Sequence, residues 1–295
     1  MPIEAKFFSM KIVTVLCGAM LACSVISCTK ELSSTPQAVS EETVLSTEDS
    51  SDLIKSNAYL FDQEAVFANI VSNVGGYLLH KPAGYKTSTK NYPLLVCLSG
   101  SGNLGNGTTN LYKMTNNSVP KLIQFGKFPK SFTVNGKSYS FIVVAPQFKR
   151  NPDAADVNAV INYVVKKYRV DESRIYLTGL SLGGGTAAEF AAAYPNKVAA
   201  VVPMADSHHP RSTEGKTVAT NKLPVWAFHN KGDDVVPYTN TVNFVNYINE
   251  SSPAVPAKKT IFSARGHNCW TKATDPGYKE NNMNIYQWML QYKRQ

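Results

Sequence analysis

Short apolar runs alternate with helix-period stretches along most of this chain. Residues 76–80, 94–98, 141–145, 175–178, 199–203 and 225–229 are apolar at nearly every position, and 259–262 is a further strand candidate that ends in Ile261-Phe262. Runs of that length, without a polar face, are expected of strands buried on both sides of a sheet. Between several of them, apolar residues recur with helical spacing, predicting helices over 153–168, 182–194, 239–248 and 282–291. Asp153 and Asp156 place carboxylates at the start of the first of these, where the helix dipole favours them. Pro195 stops the second. This alternation predicts an α/β fold: a mainly parallel sheet covered by helices on both faces. Ligands of such sheets gather at the carboxyl ends of the strands. No connecting segment is long enough to form a large lid domain.

The pattern breaks down before residue 56. Lys11 precedes the apolar run IVTVLCGAMLACSVIS, which ends at Cys28. A positive flank, a short apolar stretch and a small residue before the break describe a secretory signal rather than a membrane span. Val25-Ile26-Ser27-Cys28 resembles a bacterial lipobox, which makes Cys28 the expected lipidation site, with Cys23 as the alternative. Met10 is a possible start, with residues 1–9 as an upstream extension. Residues 28–55, rich in Ser, Thr and Glu, are expected to be a flexible tether. The expected organisation is therefore a signal peptide over 1–27, the tether, and one catalytic domain over 56–295. It implies an exported lipoprotein that touches a membrane only through its anchor; the alternative is an ordinary signal peptide cleaved nearby, which implies a periplasmic or secreted protein.

Composition adds two exclusions. The net charge of +9 comes from Lys and Arg scattered singly rather than in stripes, so nucleic acid is not the expected partner. No zinc-type cysteine spacing and no HExxH occurs, so neither metal nor cofactor is expected. Cys97 lies in a strand-like run and is expected to be a buried free thiol.

The candidate chemistry centres on YLTGLSLGGG, residues 176–185. Gly179-Leu180-Ser181-Leu182-Gly183 matches G-x-S-x-G between a strand-like and a helix-like segment, the context that this motif requires. A serine held in a strained turn projects its hydroxyl only if neighbouring side chains are absent. Gly179 and Gly183 remove them, and Gly184 and Gly185 let the helix approach the sheet. Ser181 needs a base. His267, in Arg265-Gly266-His267-Asn268-Cys269-Trp270, follows the last strand and is the expected one. His229 ends a strand and precedes the plausible acids, so it is read as structural support for the acid loop. His208 and His209 are read as surface or pocket-wall residues. Three carboxylates can orient the imidazole: Asp233, Asp234 and, one strand earlier, Asp206. Acyl transfer also needs oxyanion donors. Leu182, just after the nucleophile, offers one backbone N–H, and Ser101, in the loop Ser99-Gly100-Ser101-Gly102-Asn103, offers the second.

These segments together resemble the α/β-hydrolase superfamily over about residues 74–292, and more narrowly small secreted esterases of the carboxylesterase, feruloyl-esterase and polyhydroxybutyrate-depolymerase type. In that family the acid lies four residues after the histidine of an H-G-x-x-D-x-x-V-P segment. His229, Asp233 and Val236-Pro237 match that spacing, so the resemblance implies Asp233 as the acid. Gly266-His267-Asn268-Cys269-Trp270 matches the G-H-x-x-W ending. The sequence departs from the family at Ser99-Gly100, where His-Gly is usual, and at Asn230, where glycine is usual.

The resemblance implies a serine carboxylic-ester hydrolase working through an acyl-enzyme. Export, tethering and the Asn- and Thr-rich loops at 103–118 and 205–222 suggest acetyl or feruloyl esters of extracellular carbohydrate or a similar polymer. Tyr112, Tyr238 and Trp270 are the candidate substrate-stacking residues. Two rivals remain: a prolyl-oligopeptidase-like peptidase, disfavoured by the absence of a gating domain, and a non-catalytic surface-binding lipoprotein.

Overall fold

The computed structural model describes residues 60–294. The proposed signal segment, Cys28 and the tether lie outside the described residues. Eight strands form the central sheet: β1 (Glu64–Val71), β2 (Val74–His80), β3 (Tyr92–Leu98), β6 (Ile142–Phe148), β7 (Val170–Leu180), β8 (Ala200–Met204), β9 (Trp226–Gly232) and β10 (Lys258–Arg265). Their order across the sheet is β1-β2-β6-β3-β7-β8-β9-β10. From β6 to β10 every pairing is parallel, and β2 is antiparallel to both β1 and β6. A small hairpin, β4 (Phe132–Val134) with β5 (Lys137–Tyr139), stands apart.

Strand burial alternates between two cores. Leu94, Val96 and Leu98 of β3 join one apolar cluster, while Leu95 and Cys97 join the other. A strand whose successive side chains enter different cores must be apolar throughout. Helices α2 (Ala154–Lys167), α3 (Leu182–Ala193), α4 (Ser212–Thr220) and α5 (Thr239–Glu250) supply the first core through residues such as Val157, Phe190, Val218 and Phe244. The second is closed by α1 (Ser118–Gln124), α6 (Trp270–Ala273), α7 (Ile285–Met289) and the hairpin.

Several elements differ from the sequence reading. β1 and the hairpin were not expected; β1 is a half-exposed edge strand without a clean apolar run. The expected polar loop at 205–222 contains α4, which buries only Gly215, Val218 and Ala219. The expected helix over 282–291 is shorter. Asn284 caps α7 by accepting from the Gln287 N–H at 3.0 Å, which fixes its start.

Candidate active site

β7 runs into α3 through a single residue, Ser181, with φ 54° and ψ −119°. That conformation is costly for a residue with a side chain, on the order of 1–3 kcal/mol, and persists only where the surroundings enforce it. Here the Ser181 N–H donates to the Met204 carbonyl of β8 at 2.9 Å, and its carbonyl accepts from the Gly185 N–H at 2.9 Å. The turn also demands space. A Cβ on Gly179 would lie 2.0 Å from the Gly183 carbonyl oxygen, and one on Gly183 2.6 Å from the Ser99 carbonyl oxygen.

Two further strand ends bring their loops to this point. His267 Nε2 is 2.7 Å from Ser181 Oγ across 86 residues of chain, and His267 Nδ1 is 2.7 Å from Asp233 Oδ2. The Asp233 carboxylate is fully buried, whereas the His267 side chain keeps 18% of its surface exposed. Asp234, by contrast, is exposed. Asp206 is buried beside His208, whose backbone N–H donates to Asp206 Oδ1 at 2.9 Å.

All four contacts of Asp233 are with donors. Oδ1 accepts from the N–H groups of Val235 and Val236 at 2.9 and 3.0 Å, and Oδ2 faces both His267 and His229 Nε2, the latter at 3.1 Å. Burial alone would raise its pKa. The Val236 N–H, the His267 side chain and the Val235 N–H outweigh that effect and hold it below the usual carboxylate range. His229 is completely buried, and burial lowers its pKa despite the carboxylate beside it. A neutral His229 has one N–H. Its Nε2 faces two acceptors, Asp233 Oδ2 and the Val236 carbonyl, while Nδ1 lies 2.8 Å from the Thr241 hydroxyl. The proton therefore belongs on Nε2, and Thr241 donates to Nδ1.

The loop after β3 covers the serine. A Cβ on Gly100 would stand 3.4 Å from Ser181 Cβ. Ser101 opens the short 3-10 turn Ser101–Asn103, and Leu182 is the first residue of α3, where its N–H has no partner within the helix. Of the three aromatic candidates, Trp270 is buried edge-on to His267, with ring centroids 5.1 Å apart. Tyr112 is half exposed, and Tyr238 is partly buried just before α5.

The remaining histidines lie elsewhere. His208 and His209 line a recess of about 660 Å³ between α2, α3 and α4. His208 is buried rather than superficial, 3.0 Å from Glu214 and 3.4 Å from Asp206. Burial opposes its charge, but Asp206 and Glu214 prevail and push its pKa up to about 9. Cys97 and Cys269 are buried free thiols; burial pushes the Cys269 pKa up to about 12. Among the described residues, no group of three or more His, Cys, Asp or Glu side chains is arranged to hold a metal ion.

The sequence reading missed one buried polar residue near the site. Gln147, at the end of β6, hydrogen-bonds the loop that carries Ser101. A lone amide in an otherwise apolar strand end, FIVVAPQF, was the available signal.

A chain with this geometry has known relatives. A family model described as Phospholipase/Carboxylesterase matches residues 86–275. A bifunctional acetylxylan esterase/xylanase of Neocallimastix patriciarum is 26% identical over 161 residues, covering 51% of this chain and 22% of its own. The chain thus spans under a quarter of that relative's length. Among solved structures, a thermostable esterase aligns with a TM-score of 0.56 at 21% identity, over 80% of this chain and 64% of its own. An acetyl ester-xyloside bifunctional hydrolase from Caldicellulosiruptor lactoaceticus aligns with a TM-score of 0.50 at 16% identity, over 77% of this chain and 88% of its own. These likenesses establish an α/β-hydrolase fold.

Proposed function

The chain belongs to the phospholipase/carboxylesterase family, and from that premise we propose that it is a carboxylic ester hydrolase with Ser181, His267 and Asp233 as its catalytic triad. The observation that carries this reading is the unbroken contact chain Ser181 Oγ, His267 Nε2, His267 Nδ1, Asp233 Oδ2, with both links at 2.7 Å. Asp233, held ionised by its donors, keeps the His267 proton on Nδ1 and leaves Nε2 free to accept. His267 takes the hydroxyl proton as Ser181 attacks the ester carbonyl. The N–H groups of Leu182 and Ser101 receive the oxyanion. The imidazolium then protonates the leaving alcohol, and an acyl-enzyme remains on Ser181. Water, deprotonated by the same histidine, attacks it and releases the acid.

The proposed substrates are acetyl or feruloyl esters on extracellular carbohydrate or a similar polymer. Two observations favour a small acyl group on a large alcohol. His267 keeps part of its surface open to solvent, and Tyr112 stands half exposed on the segment after the Ser101 loop. The acetylxylan-esterase relative, matched over half of this chain, supports the same substrate class. In the same reading, Cys28 carries lipid, and residues 28–55 hold the enzyme off an extracytoplasmic membrane surface. The test is a panel of short acyl chromogenic esters, acetylated and feruloylated glycans and peptides, run with the mature domain and with Ser181→Ala. Ester turnover abolished by the substitution supports the reading. Turnover that survives it, or peptide cleavage in preference to ester cleavage, overturns it.

A further inference from the structure

We infer that Gln147 is a positioning residue for catalysis, holding from beneath the loop that supplies the second oxyanion donor; this rests on the role proposed above for Ser101. Gln147 lies at the carboxyl end of β6 and is fully buried. Both protons and the oxygen of its amide are engaged, and in one orientation only. Nε2 donates to the carbonyls of Asn103 and Asn110, both at 2.9 Å, and Oε1 accepts from the Gly107 N–H at 2.9 Å. Turning the amide over would set an NH₂ against an N–H and an oxygen against two carbonyls. One side chain therefore closes the loop 103–110 at both ends and in the middle.

The hold reaches Ser181 through few intermediates. Asn103 ends the turn that begins at Ser101, and its N–H donates to the Gly100 carbonyl at 3.0 Å. Gly100 is the residue whose missing Cβ would touch Ser181. Asn103 is itself buried, and its side chain is fixed by the Lys113 carbonyl and the Asn117 amide. Fixing the Asn103 carbonyl thus fixes the end of the turn whose start carries Ser101.

β2 completes the cradle. Gly76 is register-paired with Gln147, and the paired strands leave room for the loop to lie across them. A Cβ on Gly75 would lie 2.4 Å from the Asn106 carbonyl oxygen, and one on Gly76 2.0 Å from that of Gly107. Both atoms belong to backbone, so an added methyl group must displace the loop itself. The two glycines admit the loop, and Gln147 fastens it.

Misplacing an oxyanion donor weakens the transition state more than the bound ester, so the signature is in kcat. Gln147→Leu strands three backbone groups, and Gly75→Ala pushes the same loop while leaving Gln147 intact. Each is expected to lower kcat for a short acyl chromogenic ester about 10- to 100-fold, with KM within about threefold and the pH profile unmoved. Affinity for a small boronic acid, which forms a tetrahedral adduct on serine, should fall in parallel. Circular dichroism checks folding. If Gln147→Leu does not fold, Gln147→Glu decides: it keeps the volume and an acceptor for Gly107, and should show the same fall in kcat. A folded Gln147 variant with kcat within threefold of the parent, or with its loss confined to KM, overturns the inference. A parent enzyme without Ser181-dependent ester turnover would instead sink the underlying reading.

Discussion

Replacing Asp233 by asparagine isolates what the buried carboxylate contributes, because all of its contacts are with donors. Oδ1 faces the N–H groups of Val235 and Val236, and Oδ2 faces His267 and His229. An asparagine amide must turn its NH₂ to one side or the other. Turned toward Val235 and Val236, it opposes two backbone donors that cannot give up their protons, and the partly buried Val236 N–H left unpaired costs about 1–3 kcal/mol. Turned toward the histidines, it can be accommodated, because an imidazole can move its proton. The amide is therefore expected to donate to His267 Nδ1, which shifts the His267 proton to Nε2. An Nε2–H directed at Ser181 Oγ cannot accept the hydroxyl proton. The expected loss is about 10⁴-fold in kcat, as in the Ser-His-Asp proteases on which that figure was established, with little change in KM. Steady-state hydrolysis of a short acyl chromogenic ester measures the first. Nitrogen-15 NMR of the His267 ring reads the tautomer directly. A variant within tenfold of the parent, or one that keeps the His267 proton on Nδ1, would refute the reasoning.

His229→Leu should weaken the fold more than the catalyst. The contacts that hold Asp233 ionised come from Val236, His267 and Val235, so kcat should drop only about tenfold. Stability should fall by roughly 2–4 kcal/mol, because the Val236 carbonyl and the Thr241 hydroxyl lose a buried partner; urea unfolding beside steady-state kinetics separates the two. His208 faces Asp206 and Glu214 directly, with Glu189 farther off and Arg211 on the other side of Glu214. Its pKa is raised from the usual 6.5 to about 9, so its contribution to stability is complete below about pH 6.5 and is lost as pH rises through about 9. The lost contribution is on the order of 3 kcal/mol, and thermal melts should find His208→Gln less stable than the parent at pH 6 and nearly equal to it at pH 10. Cys28→Ser should move the expressed protein from the membrane fraction to the soluble one and abolish labelling by a fatty-acid probe, without changing ester turnover.

Legibility of the fold followed the physics of each segment. Strands β3, β6 and β7 were readable because both of their faces are buried, as Leu94 and Leu95 on opposite cores illustrate. β1 was not, since an edge strand half open to solvent, EAVFANIV, carries no unbroken apolar run. α4 escaped because STEGKTVAT buries only three of its residues and contains glycine and three threonines, which favour helices weakly. Ser181 was visible through local turn chemistry alone. His267 and Asp233 are tied to each other across 34 residues, and nothing local separated Asp233 from Asp234 or Asp206; the family spacing did. The part played by Gln147 was hidden because its partners, Asn103, Gly107 and Asn110, are about 40 residues away and are all backbone groups, which carry no side-chain signature.

The central claim is that the ester's acyl group passes through Ser181. Acid-quenching the enzyme during turnover of an acetyl ester, followed by peptide mass mapping, tests it directly. The account predicts an acetyl group on the peptide that carries Ser181, increased when His267 is replaced by alanine after slow loading, and absent in Ser181→Ala. Turnover with no acyl group on Ser181, or an acyl group on another residue that persists in Ser181→Ala, would contradict it.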